Sequence, residues 1–385
     1  VKRSRHGPAG TFALLTGGGT AGHVQPALAV AEALVARGYE RSTIAYVGSR
    51  RGMEARLVPA AGFAITLLPG RGIKRRLSLD NLGALAGLVL ACALAFVLVA
   101  RRRPRVVVTV GGYAGLPCSL AAIALRVPLV VISYDAVPGA ANRLVGRFAR
   151  KCAVAFDSTG LANEVVTGAP VRTAVLAVDR SEAGRLAARN ALGLASDRFC
   201  LLIAGGSLGA RRINDAAAGL ARSWAERGDI TIYHVAGERN LADVGALTAG
   251  LAPAGPERDG LDYHLVGYEQ KMPALLAACD LAVLRAGAST VAELCVIGTP
   301  SVLVPLPGAP HDHQTKNAEA LFSKGAAVVL NDRDCTPERL GALVEELRAE
   351  PERLVFLAKA AAANGQRDAA EKIAALVDSV AKRSR

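Results

Sequence analysis

Aromatic side chains are scarce in this chain: Phe, Trp and Tyr make up 4% of its 385 residues, with a single Trp. Any core must therefore be packed from Val, Leu, Ile and Ala. Hydrophobic residues at 51% supply enough of them for two domains, the prior for this length. No basic–aromatic stretch and no zinc-finger spacing is present, which argues against a nucleic-acid partner. The seven Cys are scattered without a C-x-x-C pair, so no disulfide framework is expected. They read as reduced thiols in the core of a cytosolic protein. Low-complexity segments are also lacking, because the 40 Gly and 18 Pro are spread along the chain. Residues 1–10 begin with Val1-Lys2-Arg3-Ser4-Arg5, and no apolar stretch with a cleavage site follows. They are expected to be a basic disordered tail and not a signal peptide.

Charge is plentiful but unbalanced. Lys and Arg number 46 against 33 Asp and Glu, for a formal net charge of +13. Such an excess favours an anionic partner, and with nucleic acid set aside this leaves anionic lipid or a phosphorylated substrate. A 19-residue run without a charge, residues 82–100, ends at Arg101-Arg102-Arg103-Pro104-Arg105. Its length alone suits a membrane span. However, Val106-Val107-Val108-Thr109-Val110 follows at once and reads as a buried parallel strand, so the connection must return to the same sheet. The expectation is a helix with one face on the sheet and the other against lipid. Leu85, Leu88, Leu94 and Phe96 would meet the membrane, and Lys74, Arg75, Arg76 and Arg101 to Arg103 would meet headgroups. A fully buried crossover helix is the alternative.

The rest alternates short apolar runs with helical stretches. Strands are expected at 11–15, 43–47, 65–67, 106–110, 129–132 and 151–155. After a restart they are expected at 199–203, 230–235, 263–266, 281–284, 301–304 and 327–329. Repeated βαβ units imply an α/β protein with two doubly wound parallel sheets, Rossmann-like and facing each other across a cleft. The break is placed at Gly168-Ala169-Pro170, where proline disfavours a continuing helix. This gives domains at 11–168 and 169–350, with helices at 351–385 packing back on the first domain.

Chemistry concentrates in glycine-rich turns after strands. Thr16-Gly17-Gly18-Gly19-Thr20-Ala21-Gly22-His23 precedes a helical stretch, 24–36, and offers backbone N–H groups and a helix dipole to an anion. His23 stands there as a candidate general base. Gly111-Gly112-Tyr113-Ala114-Gly115 repeats the arrangement, and tight packing is the competing reason for both turns. In the second half, Gly205-Gly206-Ser207 and the run from Arg285 through Ala288, Ser289 and Thr290 suit a diphosphate. Glu293, one helical turn further, suits a ribose diol. His311 and His313 lack a third metal ligand. Gln314 and Asn317 share a helix face and suit a polyhydroxylated group.

Eight segments in order carry a resemblance: residues 17–29, 52–54 with 57–59, 111–113, 138–143, 168–172, 205–210, 285–293 and 312–318. In these the chain resembles the MurG family of peptidoglycan N-acetylglucosaminyltransferases, over nearly its whole length. The resemblance implies a GT-B fold. It implies inverting transfer of N-acetylglucosamine from UDP-GlcNAc to the 4-hydroxyl of undecaprenyl-diphospho-N-acetylmuramoyl-pentapeptide (lipid I), giving lipid II. It also implies a peripheral location on the cytoplasmic face of the cell membrane, alongside other cell-wall synthesis proteins. By position, His23 is similar to the family's acceptor-side base. Gly18, Gly19, Thr20, Gly22, Gly111, Gly112 and Tyr113 are similar to its lipid-diphosphate site. The donor contacts carried over are Arg172, Ser207, Tyr268, Ala288, Ser289, Thr290, Glu293, Gln314 and Asn317, with Thr20, Gly22 and Asp135 also in reach of UDP-GlcNAc. No cofactor is required on this reading and no metal motif is expected, although a divalent cation stays open.

One stretch departs from the family. Where His-Glu-Gln-Asn is usual, this chain has Ile132-Ser133-Tyr134-Asp135. Asp135 replaces an amide that can donate with a group that, when ionised, only accepts, and it becomes a second catalytic candidate. A related transferase with another lipid-linked acceptor, or a weakened nucleotide-sugar-binding scaffold, is therefore the alternative expectation.

Overall fold

The computed structural model describes residues 10–69, 80–206, 208–251 and 259–382. The chain divides into two compact units, residues 1–172 with 367–385, and residues 173–366. The basic tail, Lys74 to Arg76 and Ser207 lie outside the described residues.

The first unit is a seven-stranded parallel sheet. Its strands are β1 (Ala13–Thr16), β2 (Ile44–Ser49), β3 (Ala64–Leu68), β4 (Val106–Thr109), β5 (Leu129–Ser133), β6 (Lys151–Val154) and β7 (Glu164–Val166). Their order is β3-β2-β1-β4-β5-β6-β7. The central strands are buried along their length, as expected for a parallel sheet covered on both faces, which explains runs such as Val106-Val107-Val108. β7 was not anticipated, because Glu164-Val165-Val166 is a short edge strand with little apolar signal. Helices α1 (Ala21–Ala36), α2 (Glu54–Ala60), α3 (Asp80–Arg102), α4 (Gly112–Ala124) and α5 (Ala140–Gly146) make the crossovers. α3, α4 and α5 pack side by side in one layer, and right-handed crossovers put α1 and α2 on the opposite face. α1 begins at Ala21, three residues before the expected start, so His23 lies in its first turn.

The second unit opens with α6 (Thr173–Leu176) and α7 (Glu182–Leu192) and then repeats the plan. Its strands are β8 (Phe199–Ala204), β9 (Ile230–Val235), β10 (Asp262–Val266), β11 (Leu281–Leu284), β12 (Ser301–Leu303) and β13 (Val328–Val329), in the order β10-β9-β8-β11-β12-β13. The helices between and after them are α8 (Arg211–Ser223), α9 (Leu241–Leu247), α10 (Met272–Ala278), α11 (Ala288–Ile297), α12 (His313–Phe322), α13 (Pro337–Ala349) and α14 (Pro351–Ala363). The last helix, α15 (Ala369–Lys382), belongs to the first unit, where it packs on α1.

The closing helices thus part company, unlike the single tail anticipated for 351–385. α14 stays in the second unit because its buried Leu357 and Ala361 face inward and its backbone meets Gly298 at the end of α11. α15 is tied to the first unit by hydrogen bonds from Tyr39 Oη to Asp378 and from Arg105 to the carbonyl of Ala381.

Candidate functional site

In both sheets the strand order reverses between the first strand and the fourth, the point where open α/β sheets leave a crevice at their carboxyl ends. In the first unit these strands are β1 and β4, and the two expected glycine turns follow them. The turns touch. A Cβ at Gly17 would lie 2.2 Å from Val110 Cγ2, and one at Gly112 would lie 3.1 Å from the carbonyl of Gly18. Packing therefore demands glycine here, whatever else the turns do. Neither α1 nor α4 has a side-chain cap, which leaves their N-termini suited to an anion.

Three buried or half-buried side chains brace the first turn. Tyr46 Oη donates to the carbonyl of Gly17 at 2.9 Å, and Tyr134 Oη donates to that of Gly22 at 2.8 Å. Glu54 Oε2 accepts the N–H of Gly19 at 2.8 Å. His23 sits between the turns. Its Nδ1 is 3.1 Å from Thr20 Oγ1, its ring tilts against that of Tyr134 at 6.2 Å, and its Nε2 edge faces Gly112. Asp135 is half-buried just beyond β5. Burial, and then the charge of Asp135, push the Tyr134 phenol well above its usual pKa, so it stays a hydrogen-bond donor. Tyr113, half-buried, belongs to the first turn of α4.

In the second unit the turns after β8 and β11 flank the reversal. Gly205 and Gly206 are described, whereas the expected contact Ser207 is outside the described residues. The turn after β11 leads into α11, which has Gly287 at its N-cap and no side-chain cap. Ala288, Ser289 and Thr290 form its first turn, and Glu293 is half-buried one turn on. Arg285 pins this corner through hydrogen bonds to the carbonyls of Val304 and Pro305 and an ion pair with Asp332 at 2.7 Å. Gln314 and Asn317, expected to share a helix face and suit a polyhydroxylated group, both hydrogen-bond to backbone. Gln314 Oε1 accepts the N–H of Leu306, and Asn317, fully buried, donates Nδ2 to the carbonyl of Ala286. Tyr268 is 43% exposed beyond β10, and Arg172 is the last residue of the first unit before the chain crosses over.

Among the described residues no group of three His, Cys, Asp or Glu side chains could hold a metal. An Asp-x-Asp spacing does exist at Asp332-Arg333-Asp334, contrary to expectation. However, Asp332 faces Arg285 and Arg212, and Asp334 faces Arg333, so cations already meet both carboxylates. His234 is not a base either. Burial holds its pKa down to about 4. Asn214 donates to Ala236 and so turns its Oδ1 toward His234 Nε2, while Nδ1 meets Tyr263 Oη.

Glu54, Tyr46 and Tyr134 were missed as site residues. For Glu54 a signal was its place in the family-like segment 52–54; the structure adds that a Cβ at Gly18, Gly48 or Gly52 would collide with its side chain.

Comparison with known proteins agrees with this architecture. The glycosyltransferase family 28 N-terminal domain matches residues 13–154, and the family's C-terminal domain matches residues 200–373. A UDP-N-acetylglucosamine–N-acetylmuramyl-(pentapeptide) pyrophosphoryl-undecaprenol N-acetylglucosamine transferase from Desulfitobacterium hafniense (strain Y51) is 38% identical, covering 94% of this chain and 96% of its own. One of the same name from Nocardioides sp. is 39% identical with the same coverage. The crystal structure of Acinetobacter baumannii MurG superposes with a TM-score of 0.71 at 28% identity, over 96% of this chain and 99% of that one. UDP-GlcNAc 2-epimerase from Neisseria meningitidis, 13% identical with a TM-score of 0.64, shares the fold. The chain therefore has a GT-B fold and belongs to glycosyltransferase family 28, among the UDP-N-acetylglucosamine–N-acetylmuramyl-(pentapeptide) pyrophosphoryl-undecaprenol N-acetylglucosamine transferases.

Proposed function

We propose that the protein transfers N-acetylglucosamine from UDP-GlcNAc to the 4-hydroxyl of lipid-linked N-acetylmuramoyl-pentapeptide, with inversion at the anomeric carbon. The observation that carries this reading is His23, set by Thr20 at the junction of two uncapped glycine turns where the first sheet reverses order. With its proton on Nδ1 and directed at Thr20 Oγ1, the imidazole has its lone pair on Nε2 and can take the acceptor hydroxyl's proton. The first unit binds the acceptor diphosphate through the N-termini of α1 and α4. The second binds UDP-GlcNAc at the turns after β8 and β11, with Glu293 on the ribose and Tyr268 against uracil. The departing diphosphate's charge is met by helix N-termini and Arg172. Asp135 accepts from the acceptor hydroxyl and helps orient it.

The acceptor is a lipid, and the first unit offers a place to meet it. Only 17% of residues 85–102 of α3 is buried, so α3 is not a buried crossover helix. Leu85, Leu94 and Phe96 are exposed, Leu88 is half-buried, and Val89, Leu90 and Val97 extend the exposed patch. From Asn81 to Phe156 the only acid is Asp135, against Arg101, Arg102, Arg103, Arg105, Arg126, Arg143, Arg147, Arg150 and Lys151. An exposed apolar helix face in a stretch of sequence whose charge is of one sign supports peripheral binding at the anionic cytoplasmic surface of the cell membrane.

The test is UDP release from UDP-GlcNAc with and without a short-chain lipid I analogue, for the wild type and His23→Ala. Acceptor-dependent release that falls by about 10²-fold or more in the variant is expected for loss of a general base. Release that ignores the acceptor, or full activity in the variant, overturns the reading.

A further inference from the structure

Glu54 is fully buried, yet among the described residues no cation is one of its hydrogen-bond partners. Its Oε1 accepts the N–H of Ser49 at 2.7 Å and Ser49 Oγ at 2.9 Å, and its Oε2 accepts the N–H of Gly19 at 2.8 Å. A buried carboxylate survives only when such donors satisfy it. Its position at the first residue of α2 also places its charge at a helix N-terminus, the favourable end. Three glycines make its room. A Cβ at Gly18, Gly48 or Gly52 would come within 2.0–2.3 Å of the Glu54 side chain. One carboxylate thus joins the end of β2, the start of α2 and the turn after β1.

We infer that Glu54 is the internal anion of the first glycine turn and a positioning residue for the acceptor site. The Gly19 N–H, read from sequence as a diphosphate ligand, is already spent on Glu54, and a second anion beside it would compete with that carboxylate for the same donor. The acceptor's diphosphate is therefore left to the N-terminal turns of α1 and α4, next to His23. Glu54 holds the turn in the shape that presents them. This inference rests on the proposed function, in which the first unit binds the acceptor.

Glu54→Gln keeps the size of the side chain and one acceptor oxygen. It sets an NH2 donor against the N–H of either Gly19 or Ser49, so one of the three bonds is lost and the turn relaxes. The expected result is an acceptor KM raised about tenfold with the UDP-GlcNAc KM within about twofold of wild type. A role in folding alone would instead reduce the amount of active enzyme, lowering apparent kcat with both KM values unchanged, and that outcome overturns the inference. Should Glu54→Gln fail to fold, Ser49→Ala removes only the hydroxyl bond, and a smaller rise in acceptor KM of about threefold is expected. An unchanged acceptor KM in a folded Ser49→Ala also overturns it. Wild type and His23→Ala are assayed alongside. If acceptor dependence is missing in the wild type, the proposed function fails. If it is present and only the Glu54 and Ser49 variants behave like wild type, this inference alone fails.

Discussion

Tyr134 links the turn of the proposed catalytic histidine, His23, to the end of β5, and it does so in the stretch read from sequence as a departure from the family. A phenol reaches where a glutamine is usual, donates to the carbonyl of Gly22 and lays its ring against His23. The residue is 6% exposed, so the aromatic body is packed and only the hydroxyl is directional. Tyr134→Phe removes that donor and keeps the packing. A buried hydrogen bond contributes about 1 kcal/mol net, so a small loss of stability is expected. Because the bond fixes the residue before His23, turnover should suffer as well, with kcat down about tenfold and both KM values nearly unchanged. Steady-state kinetics beside a thermal melt check this. A variant with wild-type kcat would mean that the ring alone positions the histidine.

α3 shows how one helix can serve a core and a surface at once. Ala91, Ala95 and Val99 recur every four residues and are buried in the first unit's core with Leu14, Val107 and Val131. Small residues on this line let the helix lie close to α4. Larger apolar side chains turn outward, and the proposed membrane contact rests on this exposed patch. Replacing Leu85 and Phe96 with Ser should leave the fold untouched, since both are about half exposed. Each side chain, if inserted in lipid, contributes on the order of 2 kcal/mol. Partitioning onto vesicles containing anionic lipid should fall at least tenfold in the double variant, and remaining binding should weaken with salt as headgroup contacts are screened. Unchanged vesicle binding in a folded double variant would remove α3 as the docking face.

At the scale of the whole chain, what was legible in the sequence was whatever is local. Apolar runs of four to six residues marked the strands, since a parallel sheet buries both faces of each. The glycine turns marked the reversal points, since glycine is required where two turns touch. Contacts that span the chain left no local trace. Glu54 meets Gly19 across 35 residues, and Tyr46 meets Gly17 across 29. The farthest of these is Tyr39 with Asp378, 339 residues apart, where the last helix rejoins the first unit. α15 buries Ile373, Ala374, Val377 and Ala381 against that unit. Ile373 and Val377 alone account for about 3–6 kcal/mol of apolar burial. A domain of ordinary stability has only about 5–15 kcal/mol to lose. Deleting residues 367–385 should therefore strip amide-exchange protection from α1 and the strands beneath it while the second unit, 173–366, keeps its own. A milder change, Asp378→Ala, removes the carboxylate that accepts from Tyr39 and pairs with Lys382 and Arg37. Its effect should be smaller and confined to the same unit. Equal loss of protection in both units on deletion would show that α15 supports more of the molecule than the unit it packs on.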